Sequence, residues 1–332
     1  MPERKVVLFE KPQINISFPT TGRMWLVFCC AFLCVIQSAY SDKGLSLVLA
    51  GAALCTAVLT ELLFTWRKSG IEKIKDGSAA AAAMVLSLLL PNQIHPVYAV
   101  MGAFFAIAVV KHSFGGLGSN WLNPALAGWL FIRFSWPLAF AKALEGSAVS
   151  VAANSDTAAA SFLNNTIFAL TGSELPSGYI DLLFLKTPGI IADRGLFALL
   201  AGTVIITAFR ISRGWTPAVF LAIFGFLTRV AADTSGEQYW NGDLLFGLFS
   251  GGTIAAAFIL TAEPASAAKS NYGKLFAVVL GAVLSWVFRY RCYEYYGCFI
   301  ALAVVNSLTP LLRFFERKLF FSDKGIFSED PV

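Results

Sequence analysis

The chain has 332 residues, of which 57% are apolar and only 14% are charged, with a formal net charge of +5. A soluble globular domain carries roughly a quarter of its residues as charges, so this balance sets aside a freestanding soluble enzyme. Nor does the basic excess read as a nucleic-acid footprint. Lys and Arg sit in short clusters beside apolar runs long enough to cross about 30 Å of hydrocarbon, which is how charges that orient a chain in a bilayer behave.

In chain order, residues 1–22 form a polar segment carrying Arg4, Lys5 and Lys11, without a cleavable signal pattern. Five apolar runs follow near 23–41, 44–65, 77–91, 96–112 and 119–141. After a long stretch rich in Ala, Ser, Thr and Asn, five more lie near 196–210, 215–232, 244–262, 273–289 and 296–313. The expected fold is an all-α polytopic membrane protein with ten spans. Residues 23–141 and 196–313 form its two five-span halves, with 142–195 as a loop, 1–22 as a leading segment and 314–332 as a tail. An odd number of spans per half makes the second half an inverted copy of the first, a common plan for transport proteins with central sites. The run at 77–91 is short for a full crossing and reads as a broken or half-depth helix.

Orientation follows from the loops. With the amino terminus inside, seventeen of the 25 Lys and Arg residues fall in cytoplasmic segments, among them Arg67, Lys68, Lys111, Arg210, Arg213 and Lys274. Both termini are then cytoplasmic, the membrane is the inner (cytoplasmic) membrane, and residues 142–193 face the periplasm. The cysteines Cys29, Cys30, Cys34 and Cys55 sit inside apolar runs as small hydrophobes. The pair Cys292 and Cys298 is left open between thiols and a bridge. There is no CxxC pattern, and His95 and His112 give no metal-ligand spacing, so no metal site is expected.

Polar groups at membrane depth carry the chemistry, since protein or water has to satisfy each of them. Asp76-Gly77-Ser78 opens the third run, either as a helix cap or as the start of a half-helix offering N–H groups to an anion or polar ring. Next comes Lys111 to Ala125, which contains Gly115, Gly116, Gly118, Asn120 and Asn123. Three glycines within four residues allow close backbone approaches, and the two asparagines bring amide donors and acceptors, so this segment reads as a re-entrant or binding loop. Glu263-Pro264 closes the eighth run, either solvated at the interface or marking a broken helix beside an ion or flavin site. In the outward loop, Asn154 to Leu163 places the hydroxyls of Thr157 and Ser161 among small residues.

Taken in order, these segments resemble a known family. They are Asp76-Gly77-Ser78-Ala79 leading to Leu90-Pro91, the glycine–asparagine run after Lys111, Ser250-Gly251-Gly252 through Glu263-Pro264, Gly273-Lys274-Leu275, and Asn306 with Thr309-Pro310. The family holds the D component of the Rnf electron-transport complex and the B component of the sodium-translocating NADH:quinone oxidoreductase. The resemblance spans residues 60–315, and by length the Rnf component is the nearer fit. It implies one part of a multi-subunit translocase rather than an enzyme alone, coupling electron flow between ferredoxin and NAD to ion movement. It also implies FMN bound covalently on the outer side by a flavin transferase, and riboflavin or FMN held non-covalently in the membrane domain. In the family the covalent FMN hangs from the last Thr of an Asp-x-x-Ser/Thr-Gly-Ala-Thr pattern. Here Ala159 and Ala160 precede Ser161 at the acceptor position, Ser155 stands where the Asp belongs, and Asp156 is displaced by one. Ser161 is therefore the expected acceptor and Thr157 the next. Glu263 replaces the usual Asp, and Gly189 to Gly195 departs from a Gly-Glu-Thr-Ser type of sequence. The alternative is a flavin-free transporter or assembly component on the same scaffold.

The charge asymmetry generates a test of orientation. In a cysteine-free background, a membrane-impermeant thiol probe should label a cysteine placed at Ser173 from the outer side of intact cells. Labelling only after the inner side is exposed reverses the assignment.

Overall fold

Backbone in hydrocarbon has to satisfy its own N–H and C=O groups, and every named element among the described residues is a helix. The computed structural model describes residues 20–66, 75–113, 120, 122–144, 189–209, 214–230, 244–263 and 270–321. Ser161, Thr157, Gly115, Gly116 and Gly118 lie outside them. In the first half the helices are α1 (Thr20–Ser41), α2 (Leu45–Thr65), α3 (Ser78–Leu89), α4 (Pro96–Phe104, continued as a π-helix over Phe105–Lys111), α5 (Pro124–Ser135) and α6 (Pro137–Ala143). In the second they are α7 (Ile191–Arg194), α8 (Leu196–Ala208), α9 (Trp215–Val230), α10 (Leu244–Phe249), α11 (Thr253–Ala255, continued as a π-helix over Ala256–Leu260), α12 (Asn271–Tyr290) and α13 (Gly297–Phe321).

Four of these, α1, α2, α12 and α13, are long and apolar enough to cross a bilayer individually, and α3, α4, α8 and α9 are shorter apolar helices. The chain is an all-α polytopic membrane protein. At 12 residues and about 1.5 Å per residue, α3 covers about 18 Å, which matches the short helix expected there.

Several limits differ from the expected runs, each for a local reason. The fifth run begins at Pro124 rather than 119, because Asn123 Oδ1 accepts from the N–H groups of Ala125 (2.9 Å) and Leu126 (3.3 Å) and Pro124 takes the first helical position. It breaks at Trp136, where Pro137 starts a new helix. The eighth run is not one helix but two, interrupted at Ser250, Gly251 and Gly252. The last continues to Phe321, and on it Glu316 Oε1 accepts from Ser270 N (3.2 Å) and Ser270 Oγ (2.5 Å), tying α13 to the start of α12.

The two halves repeat one another at their short helices. Gly77, at φ +72°, precedes Ser78 and α3; Gly252, at φ +69°, precedes Thr253 and α11. That left-handed conformation costs an L-residue roughly 1–2 kcal/mol, so glycine holds both positions. From the end of the following long element a cation reaches each start: Lys111 Nζ lies 2.6 Å from Ser78 Oγ, and Arg289 Nη1 lies 3.1 Å from Thr253 Oγ1. The first long helices of the halves, α1 and α8, run antiparallel. Ala198 N donates to Gln37 Oε1 at 2.6 Å, and further along Gly202 packs on Cys30, where a Cβ would meet the Cys30 Cβ at 3.1 Å. Antiparallel equivalents are what an inverted repeat requires. The contact also fits Cys30 and Cys34 as small residues that let helices approach closely.

At Gly252 a methyl group would lie 2.3 Å from the Phe299 ring and add backbone strain, whereas at Gly51 nothing lies within 4 Å. Thermal unfolding in detergent should therefore show Gly252→Ala destabilised by at least about 2 kcal/mol. Gly51→Ala, inside α2, should be unchanged or slightly stabilised.

Candidate functional site

The start of α3 is placed by α1: Trp25 Nε1 donates to Lys75 O at 3.1 Å and its indole covers Gly77. Asp76 Oδ1 then accepts from Ser78 N (2.8 Å) and Ser78 Oγ (2.7 Å), so Asp76 caps the helix and turns its first hydroxyl toward Lys111.

Beside that start lies an open cleft with a cavity volume of about 230 Å³. From α1 it takes Thr20, Arg23, Met24 and Val27, and from α3 it takes Ser78, Ala81, Ala82 and Val85. Lys111 enters from the end of α4, Asn120, Asn123, Pro124 and Ala125 from the start of α5, and Ile259, Ala262 and Glu263 from the end of α11. Three segments far apart in sequence thus meet in one space, and each contributes a residue singled out from the sequence: Ser78; Lys111 with Asn120 and Asn123; and Glu263. Asp76 stands behind Ser78 as its cap, outside the lining. Both π-helical segments end at this cleft, a feature often associated with functional sites.

The cleft has apolar walls with polar groups at a few points. Lys111, 3% exposed, pairs through Nζ with Glu61 Oε1 at 2.8 Å. The second oxygen of Glu61 lies 3.0 Å from His112 Nε2, and the imidazole stacks on Phe64 at 4.9 Å between centroids. Asn123 uses its Oδ1 to cap α5, whereas Asn120 Oδ1 is buried and has no hydrogen-bond partner among the described residues. A buried, unpaired carbonyl oxygen at the wall of a cleft is an acceptor waiting for a donor. Among the described residues no cluster of His, Cys, Asp or Glu could hold a metal ion, and Cys292 and Cys298 are both free thiols.

A second charged cluster holds the break in the other half. Arg289 Nη1 donates to Gly247 O and Ser250 O, both at 2.9 Å, at the carbonyl end of α10. Asp193 accepts from Gly251 N (3.1 Å) and Gly252 N (2.8 Å) at the amino end of α11. Each charge therefore faces the helix end of opposite polarity. Cys298 Sγ closes the set on Gly251 O at 3.0 Å. The break is filled by the protein's own groups, whereas the start of α3 at Ser78 adjoins the cleft.

Sequence reasoning passed over Glu61, His112, Arg23, Asp193 and Arg289. A signal existed for Glu61, the only acid in the second apolar run, since an ionisable group at that depth calls for a partner. Arg289 closes the ninth run and looked like a loop charge. Asp193 falls in the stretch that departs from the family pattern.

The fold and this arrangement define a class: a polytopic helical membrane protein whose interrupted helices frame a cleft with buried charge at its wall. The chain belongs to the NQR2, RnfD, RnfE family, which it matches over residues 7–322. Relatives include the D component of the proton-translocating ferredoxin:NAD(+) oxidoreductase complex of Clostridium ljungdahlii, 28% identical over 95% of this chain and 96% of that one. Another is the D component of the ion-translocating oxidoreductase complex of Shewanella denitrificans, 29% identical over 93% and 95% of the two chains. The component of the same description from Alcanivorax borkumensis is 28% identical over 82% of this chain and 84% of that one.

Removing one partner of the buried pair isolates the other. Lys111→Met should lower stability by about 3 kcal/mol, because Glu61 is then left buried with only His112 beside it. The double variant Lys111→Met/Glu61→Gln should recover most of the loss. Thermal unfolding in detergent, read on both variants, checks this.

Proposed function

We propose that the chain is the membrane component, of the RnfD type, of an Rnf-type complex that moves an ion across the cytoplasmic membrane as electrons pass between ferredoxin and NAD. Support comes from family membership, from near full-length similarity to components so described, and from the cleft. Its partners are the other membrane and peripheral subunits of that complex. Both termini face the cytoplasm and the 142–195 loop faces the periplasm, following the distribution of Lys and Arg.

The cleft takes a non-covalent flavin, riboflavin or FMN, and the orphaned Asn120 Oδ1 carries this reading. An isoalloxazine ring is flat and largely apolar, with one imide N–H flanked by carbonyl oxygens. Such a ring needs an acceptor for the N–H, donors for the oxygens and small apolar residues against its faces. Asn120 supplies the acceptor, Lys111 and Arg23 supply cationic donors, and Ala81, Ala82 and Val85 supply the apolar wall. When bound, the flavin supplies one- and two-electron chemistry, while the protein supplies position and electrostatic tuning. Lys111, Ser78 and Asn123 orient the polar edge, Glu61 holds Lys111 in place, and the apolar wall excludes water. Moving one charge against the membrane potential costs about 2.3 kcal/mol per 100 mV, a load that a downhill electron transfer can carry.

A second FMN is attached to Ser161, or to Thr157, by a flavin transferase through a phosphoester in the outer loop. A flavin-free transporter or assembly component is the reading favoured by the altered acceptor stretch, in which Ala159 replaces the glycine and Asp156 is displaced.

One preparation tests these assignments. Protein co-expressed with a flavin transferase should release flavin on denaturation and keep a fluorescent band after washing, with the 155–163 peptide heavier by FMN. Asn120→Leu should abolish most of the released flavin and leave the band, while Ser161→Ala should do the reverse. Protein without released or retained flavin supports the flavin-free reading.

A further inference from the structure

The cluster behind the cleft contains one more titratable group than a structural ion pair needs. Lys111 and Glu61 compensate one another at 2.8 Å, and Lys111 Nζ already rests on Ser78 Oγ at 2.6 Å. His112 is added to this closed pair, with Nε2 3.0 Å from Glu61 Oε2 and its side chain 15% exposed, against 3% for Glu61 and Lys111. It is the most exposed of the three, at the end of α4. Among the described residues, the other charged groups at the cluster and its cleft are Asp76, which accepts from Ser78, and Arg23 and Glu263, which line the same cleft. Among the described residues, the start of α5 lines it with asparagines and apolar groups and adds no charge.

We propose that His112 is a positioning residue that sets the charge Lys111 presents to the cleft, and so couples reduction of the bound electron carrier to uptake of a proton at that end of the bundle. The proposal rests on the flavin reading of the cleft. With a neutral imidazole, Nε2–H donates to Glu61, Nδ1 carries no proton, and Lys111 and Glu61 sum to zero. A second proton goes to Nδ1. Glu61 is then shared between two cations, and the cluster carries one net positive charge behind the ligand. In a water-poor site that charge favours whichever ligand form is more negative, by about tenfold at separations near 10 Å and an effective dielectric of about 20. Reduction makes the carrier more electron-rich, so the reduced form and protonated His112 stabilise each other, as linkage demands of any two binding events. Atoms and charge balance: the electrons come from the reductant, the protons that the reduced carrier itself holds come from water, one further proton from water goes to Nδ1, and all of them leave on reoxidation.

Riboflavin is the probe. Its dissociation constants are measured in the oxidised and dithionite-reduced states, at pH 6 and pH 8, on the full chain in detergent. The proteins are wild type, His112→Gln and His112→Lys, the last a permanent cation. Comparing proteins at the same pH removes the flavin's own proton uptake. The ratio of reduced to oxidised affinity should be about tenfold higher in His112→Lys than in His112→Gln at both pH values. The wild-type ratio should move from the His112→Lys value toward the His112→Gln value as pH rises, while the difference between the two variants persists. A purely structural histidine lowers both affinities together and leaves the ratio unchanged, and that result overturns the proposal while the flavin reading stands. Wild-type protein that binds riboflavin in neither state overturns both.

Discussion

The structure depends on how a helix can stop inside a membrane. An interrupted helix frees carbonyls on one side of the break and N–H groups on the other, and hydrocarbon satisfies neither. Between α10 and α11, Arg289 from α12 takes the freed carbonyls and Asp193 takes the freed N–H groups. Their charges also oppose the two helix dipoles. At the start of α3, Asp76 takes the first N–H, and Lys111 reaches the Ser78 hydroxyl. Charged residues that look out of place in an apolar chain are the groups that make short helices possible there.

The same devices produce the cleft. A short α3 leaves room beside its start, and the space is walled by α1, the end of α4, the start of α5 and the end of α11. In the second half Asp193 and Arg289 close the break, whereas beside the start of α3, where Asp76 takes the first N–H, an open volume remains with a cation and an unsatisfied amide oxygen at its wall. Two helix starts of similar design thus differ, one closed and the other beside an open space. The difference lies in side chains, since glycine, hydroxyl residue and cation recur in both.

Buried charge carries a desolvation penalty that packing alone does not offset, and apolar residues in place of Glu61 and Lys111 would stabilise the fold as well or better. Retaining the pair, with a histidine attached to its exposed side, gives the cleft a defined charge beside apolar walls. That is an electrostatic arrangement rather than a packing one. It accords with a family in which relatives are described as parts of ion-translocating oxidoreductase complexes.

The sequence by itself determined the class: apolar runs of spanning length, charges confined to their ends and a shortened third run follow from hydropathy and helix rise. It also marked Ser78, Lys111, Asn120, Asn123 and Glu263, because a polar residue at membrane depth is conspicuous one position at a time. It did not place them together, and it offered a broken helix in the eighth run only at Glu263-Pro264, not at Ser250 to Gly252. Periodicity reports which residues are apolar, whereas a break is decided by whether a distant residue arrives to satisfy the freed backbone. Arg289 lies 39 residues from Ser250 and Asp193 lies 59 from Gly252, and only the packed helices bring them within hydrogen-bonding distance. The same holds for Glu61, which meets His112 across 51 residues of chain. Partners of buried charges are set by tertiary contacts, and the tertiary structure alone decided them.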